Sequence, residues 1–177
     1  MINIIYNKSL KELGKLTSSD NSPVPAAGTS AAVNGFLGVS LLKLVFKVSK
    51  INLDREELKK INEKLKKAEK EFLNLMEKDI EAFQKNKDNN FQKGDKLKLI
   101  IKTPLAIAQT AEDIIILGNN YKDKVKNNVS ADYKTAMANL QTAQSCALII
   151  VKSNYKFFLE KSPFLEKIKA KVNKLEN

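Results

Sequence analysis

Along most of the 177-residue chain apolar residues recur every three or four positions and seldom alternate with polar ones. That is the spacing of helices packed by one face, not of strands. The longest case is "DREELKKINEKLKKAEKEFLNLMEKDIEAFQKN", where Leu58, Ile61, Leu65, Ala68, Phe72 and Leu75 step by three and four. Asp54 is placed to cap this helix, which runs to about Lys87, and Glu–Lys pairs support its exposed face. A helix over about Ser30 to Val48 is apolar nearly all round, so the pattern predicts that other helices surround it. A short first helix spans about Ser9 to Leu16, with Ser9 as N-cap and Glu12 completing a capping box. A fourth covers roughly Leu97 to Leu117, kinked or restarted at Pro104 near Thr103, with Gly118 just past its end. A fifth spans about Ser130 to Leu159 and carries Tyr133, Ala136, Leu140, Ala143, Ala147 and Ile150 on one side. The last follows "KSP" and turns Phe164, Ile168, Val172 and Leu175 inward. The expectation is an all-α antiparallel bundle of about six helices, one domain over residues 1–177.

Four places break this pattern. One step past Leu75 the inward position is Asp79, followed by Ala82, so an acid stands where the stripe asks for leucine. Burial there raises a carboxyl's pKa unless partners compensate, which marks either a satisfied structural pair or a group tuned for proton transfer. Asp132 opens the fifth helix, where a first-turn acid is favoured by the dipole. Asn154, two residues after Lys152, breaks that helix's stripe and needs partners, from a ligand's amide edge or from another helix. Finally, "NSPVPAAGTSAAVNGFLG" gathers backbone-bending residues ahead of the apolar helix. Pro23 and Pro25 stiffen an extended approach, Gly28 permits a tight turn, and Thr29 or Ser30 caps the helix so that its free N–H groups face an anion. An ordinary capped helix with a small-residue packing face accounts for the same residues.

Composition narrows the chemistry. The formal charge is +11, yet Arg55 is the one arginine, which argues against a phosphate- or guanine-reading nucleic-acid binder. The lysines read as solvated helix faces or as a field that draws in a small anion. There is no histidine, so the commonest general base and metal ligand is missing and proton transfer falls to carboxylates, Lys or Tyr. Cys146 lies in the apolar "QSCALII" and reads as a buried, inert thiol. The opening residues carry too short an apolar run for a signal peptide, and "AAVNGFLGVSLLKLVF" is interrupted by Asn34 and Lys43. A soluble cytoplasmic protein without a membrane span is expected.

Several stretches, in order along nearly the whole chain, resemble one family. "SLKELGKLTSSDNSPVPAAGTSAAVNGFLGVSLLKLV" is similar to the opening helix, Pro-x-Pro-Gly-Gly-Gly-Ser turn and Ala/Gly-rich second helix of the formiminotransferase-cyclodeaminase and methenyltetrahydrofolate cyclohydrolase family. "LMEKDIEAF" resembles its Asp-x-Glu-Ala-Phe segment, with Asp79, Glu81, Ala82 and Phe83 on it. "TPLAIAQTAEDIIIL" looks like its Val-Pro-Leu stretch, and "NNVSADYKTAMANLQTAQSCALIIVKSN" like its Asn-x-x-Ser-Asp helix ending near Asn-Val-Arg-x-Asn. The chain departs from the pattern at Ala26 and Ala27, which replace two glycines, at Ala131, which separates Ser130 from Asp132, and at Lys152, where an arginine is common.

The resemblance implies a small helical homodimer acting on a tetrahydrofolate derivative, with no metal and no tightly bound cofactor. The reaction is either release of ammonia from a formimino-folate to give the 5,10-methenyl cation, or hydrolysis of that cation. It implies Asp79 as the acid–base group and Asp132 as a helper that positions a folate nitrogen. Pro25, Gly28, Thr29, Ser30 and Phe83 are expected around the folate, Lys152 and Asn154 at its pterin edge or glutamate tail, and the positive field would attract folate polyglutamates. Two other classes stand beside it: a folate-binding or scaffold protein that has lost catalysis, favoured by the altered glycines, and a basic nucleic-acid module, opposed by the single arginine.

Overall fold

The structure, a computed structural model, describes residues 7–19, 25–49, 54–88, 91 and 94–176. Among them are six α-helices and no strand: α1 (Leu10–Thr17), α2 (Ala27–Ser49), α3 (Arg55–Lys87), α4 (Asp95–Asn120), α5 (Ser130–Ser153) and α6 (Pro163–Glu176). Helices α2 to α5 run up and down in turn. α2 packs against α3 and α5, α4 closes the ring against the same two, and α6 lies on α4. The expected antiparallel bundle is therefore present, with α1 an exposed outlier that sets only Leu13 and Leu16 against the core. The Pro23 expectation falls outside the described residues.

The core is where the stripes meet. Ala31, Val39, Leu42 and Val45 of α2 interlock with Leu65 and Phe72 of α3, Ile101 and Ile107 of α4, and Leu140 and Val151 of α5, all of them fully buried. Burying each of the larger side chains contributes about 1.5–3 kcal/mol. The α2–α3 contact depends on Gly35, because the Phe72 ring occupies the space a Cβ would need there. Charged residues stay outside: Lys43 reaches Glu69 at 2.7 Å across the α2–α3 seam, and α3 carries Lys60–Glu56 at 2.8 Å on its surface. α2 is long and apolar enough to cross a membrane by length and composition; here it packs on α3 and α5 and leaves Leu37 and Leu44 exposed on its outer side, so the other helices do not surround it as its pattern predicts.

The helix starts follow local chemistry. Ser9 and Glu12 exchange the two bonds of a capping box, at 2.8 and 3.2 Å. The Asp54 carboxylate accepts the Glu57 N–H at 2.8 Å, and Ser162 Oγ accepts the Leu165 N–H at 3.1 Å.

Several ends differ from the sequence reading. α2 begins at Ala27, so neither Thr29 nor Ser30 is its cap. Gly118 does not end α4; it is buried within the helix, and Met137 Sδ would stand 2.6 Å from a Cβ there, so the glycine serves packing. α5 stops at Ser153, where the Asn154 N–H closes onto the Ile150 and Val151 carbonyls. A 3₁₀ turn over Tyr155–Phe157 then takes Phe157 off the helical stripe. Cys146 is half-buried instead of enclosed.

α4 runs unbroken through Pro104. A proline has no N–H to give the carbonyl four residues back, so the helix itself leaves the Ile100 C=O without its usual bond. Asn154 Nδ2 donates to that oxygen at 2.8 Å. The interhelical reading of Asn154 accounts for its amide nitrogen, and the proline explains why the acceptor was free.

Candidate active site

The start of α2, the end of α3, the start of α4 and the end of α5 meet at one end of the bundle, around a cleft of about 440 Å³. Asp79 lies on its wall. The α3 stripe delivers it: Leu75 and Ala82 on either side are buried, and Asp79 between them is partly so. Thr29, buried in the first turn of α2, donates twice to the same carboxylate oxygen. Its backbone N–H lies 3.0 Å and its hydroxyl 3.3 Å from Asp79 Oδ2. The N–H is one of the donors that a helix start leaves free, so this one goes to Asp79 and not to a ligand.

Gly28 permits the arrangement. A Cβ there would collide with Asp79 Oδ1, so only glycine lets the carboxylate settle against the backbone of the α2 start. Oδ1 receives no hydrogen bond from the described residues. Burial pushes the carboxyl's pKa above its ordinary value, and the two Thr29 bonds oppose that rise without cancelling it. A half-enclosed acid with one oxygen held and the other toward a cleft can gain and lose a proton there.

Asn154 also lines the cleft. With its nitrogen turned to the Ile100 carbonyl, its oxygen remains as an acceptor. Ala26 and Ala27, exposed on the α2 start, put methyl groups where the cleft begins. Phe83, Phe91, Phe157 and Lys156 line the same cleft. Phe91 stacks on Phe157 at 5.0 Å and 11°, and Phe83 meets Phe91 edge-on at 5.9 Å.

The residues expected at a site divide accordingly. Asp79, Gly28, Phe83 and Asn154 come together on the cleft, and Thr29 joins them through Asp79. Pro25 is buried just ahead of α2 but stops short of the wall. Ser30 points outward, its N–H on the Ala26 carbonyl at 2.9 Å. Lys152 is exposed and pairs with Glu176 on α6, away from the cleft. Asp132 lies in the first turn of α5, at the other end of a helix whose last turn borders the cleft, roughly 30 Å away along the axis. Within one chain it does not meet Asp79, because twenty-two residues of unbroken helix hold the two ends of α5 apart.

The sequence reading missed Phe91, Lys156 and Phe157 as site residues. Phe157 falls within the fifth helix as the sequence predicts it, to about Leu159, whereas that helix ends at Ser153; Phe91 sits in a polar stretch with no periodicity to place it. Asn86 was missed as well. It continues the α3 stripe past Ala82, is fully buried, and joins α3 to α4 by donating to the Ala82 and Lys96 carbonyls at 2.7 and 2.8 Å.

Comparison with known proteins bears on the family and the fold. No curated protein matches the sequence. The crystal structure of a formiminotetrahydrofolate cyclodeaminase from Thermotoga maritima superposes with a TM-score of 0.84 at 18% identity, covering 97% of this chain and 90% of that one. At that identity the likeness establishes the helical fold. Residues 9–174 match the family described as Formiminotransferase-cyclodeaminase, a span that takes in the α2 start, the α3 stripe and the α5 end that together build the cleft. The chain belongs to the formiminotransferase-cyclodeaminase family.

Proposed function

We propose that this protein is a folate one-carbon enzyme that closes 5-formimino-tetrahydrofolate to the 5,10-methenyl cation with release of ammonia. Asp79 is its acid–base group. The observation that carries the reading is the Asp79 carboxylate seated over Gly28, with Oδ2 held by Thr29 and Oδ1 left without a partner among the described residues. Family membership supplies the substrate class.

In this reading the N10 nitrogen of the folate attacks the carbon of the protonated formimino group on N5, an amidinium, and that carbon becomes tetrahedral. Asp79 Oδ1 takes the proton that N10 loses and gives it to the amino group, whose bond to carbon breaks as ammonia leaves. The proton taken and the proton returned balance, and proton transfer is the one service the step asks of the protein. A carboxyl whose pKa lies above the usual range is better matched to both halves of that shuttle. Once ionised, Asp79 also places negative charge beside the methenyl cation. The same group serves the family's other reaction, in which water adds to the cation, Asp79 accepts the water's proton and the ring then opens to the formyl-folate.

Two absorbance assays on methenyl-folate test the assignment. Appearance of the chromophore from formimino-folate supports the cyclodeaminase. Its loss from supplied methenyl-folate, above the spontaneous rate, assigns the cyclohydrolase instead. Binding of reduced folate with silence in both assays rejects the enzyme and leaves a folate-binding protein, the reading favoured by the Ala26 and Ala27 methyls at the cleft.

The homodimer belongs to the same proposal. Leu37 and Leu44 are two turns apart on the outer side of α2 and remain 47% and 46% exposed, an apolar strip suited to a second copy. Light scattering should give twice the 19.8 kDa chain mass for the protein, and the chain mass for a Leu37→Glu, Leu44→Glu variant.

A further inference from the structure

We propose that Phe83, Phe91, Phe157 and Lys156 form a second subsite of the cleft, which takes an aryl ring carrying a carboxylate tail. This rests on the reading of the Asp79 end as a reduced-folate site, and it assigns the far half of that ligand to this wall.

A ligand gripped only at Asp79 would need nothing from these residues, and burial alone does not explain them. Phe83 stands one turn after Asp79 on α3 and is 46% exposed, while Phe91 and Phe157 are only half-buried. All three line the cleft. Phe91 also takes a backbone conformation that bulky residues rarely adopt, at φ 51°. What holds it there is specific: its N–H donates to the Asn86 carbonyl at 2.8 Å, and the Asn86 side chain is itself fixed between the Ala82 and Lys96 carbonyls. In that conformation the ring lies flat on Phe157, and both residues line the cleft. Strained backbone that is over-determined by its surroundings collects at binding sites.

The charge beside the rings selects the ligand. Lys156 Nζ stands 5.3 Å from the centre of the Phe157 ring, and both residues line the cleft. An aryl ring stacked on the phenylalanines would place an attached carboxylate beside this ammonium. A neutral or cationic tail would gain nothing from it. The cleft thus joins a carboxylate at Asp79, an ammonium at Lys156 and the phenylalanine rings on one lining.

Calorimetric titration of the whole chain with two probes tests the assignment. One is 5-formyltetrahydrofolate, which carries the aryl-glutamate portion; the other is 6-methyltetrahydropterin, which lacks it. The wild-type protein should bind the first tighter by roughly tenfold or more, the scale of one aromatic stacking contact. Phe157→Leu and Lys156→Gln should each shrink that ratio while leaving pterin affinity and thermal midpoint in place. Phe91→Gly should shrink it too without lowering the midpoint, because glycine accepts the backbone conformation and only the ring is lost. A ratio that survives in all three variants, or a wild-type protein that binds both probes equally, overturns the subsite alone. A wild-type protein that binds neither probe overturns the folate reading and the subsite with it.

Discussion

The two ends of the bundle are built from the same four helices and come out differently. At the end where α4 finishes and α5 begins, polar atoms close on one another: the Tyr121 hydroxyl donates to Glu57 at 2.6 Å, the Lys126 N–H to Ser49 Oγ at 3.2 Å, and the Tyr133 hydroxyl to the Gly118 carbonyl at 3.4 Å. Phe46 packs edge-on against Tyr121 to seal the gap. At the opposite end two polar residues on the seams are half-used. Asp79 commits one oxygen to Thr29, and Asn154 commits its nitrogen to the carbonyl that Pro104 leaves bare. Both retain an acceptor, and both line a cleft. A bundle acquires a site where its seams carry polar groups whose structural duties leave one atom over.

The sharpest test of this contrast is Asp79→Asn. It keeps an oxygen for Thr29 but cannot shuttle a proton, so turnover should fall by about 10²–10⁴-fold, measured by methenyl-folate absorbance, with the circular dichroism unchanged. Wild-type rates would remove Asp79 from the mechanism. Next in size is a pair of glycine substitutions, one at each end. Gly28→Ala drives a methyl into the Asp79 carboxylate and should cost about 1–3 kcal/mol in denaturant titration together with most of the activity. Gly118→Ala meets the flexible Met137 thioether, which can shift, so less than about 1 kcal/mol is expected and no loss of activity. Equal costs at the two ends would mean that the cleft end is no more tightly built.

The Pro104–Asn154 link gives a smaller and more specific effect. Asn154→Leu leaves the buried Ile100 carbonyl without a donor and should destabilise by about 1–3 kcal/mol. Combined with Pro104→Ala, which restores a helical N–H to the same carbonyl, most of that loss should vanish. Additive costs in the double variant would show that Asn154 supports the fold by another route.

The smallest effect concerns pH. Asp79 has a folded-state pKa above its ordinary 3.8, so folding favours its protonated form. That contribution is fully present below 3.8 and is lost as pH rises through the folded-state value. Asp79→Asn, which cannot ionise, should therefore match the wild type in acid and exceed it toward neutrality, read as denaturation midpoints across a pH series. A gap that closes with rising pH instead would mean that Thr29 outweighs burial.

Much of the architecture was legible without coordinates, because a period of three and four is a local property. The α3 stripe from Ile61 to Leu75, the Asp54 and Ser9 caps and the all-round apolar character of α2 follow from side chains a turn apart. The same stripe exposed Asp79 as out of place, so the centre of the site was readable too. Helix ends were less so: Gly118 and the residues after Ser153 look like one thing in sequence and are decided by what packs on them, Met137 in the first case and the closing bonds of Asn154 in the second.

What only the tertiary structure decided is which distant groups share an atom. Residue types along the chain settled that an acid, a glycine turn, a proline inside a helix and an asparagine at a helix end were present. They did not say that Thr29 would spend its free N–H on Asp79, that Asn154 would answer the carbonyl bared by Pro104, or that Lys156 would face the cleft while Lys152 turned to Glu176. The physical reason is reach. Helical periodicity relates residues within about 6 Å along one element, whereas these bonds join positions 50 or 54 residues apart, whose meeting depends on how four helices pack at once.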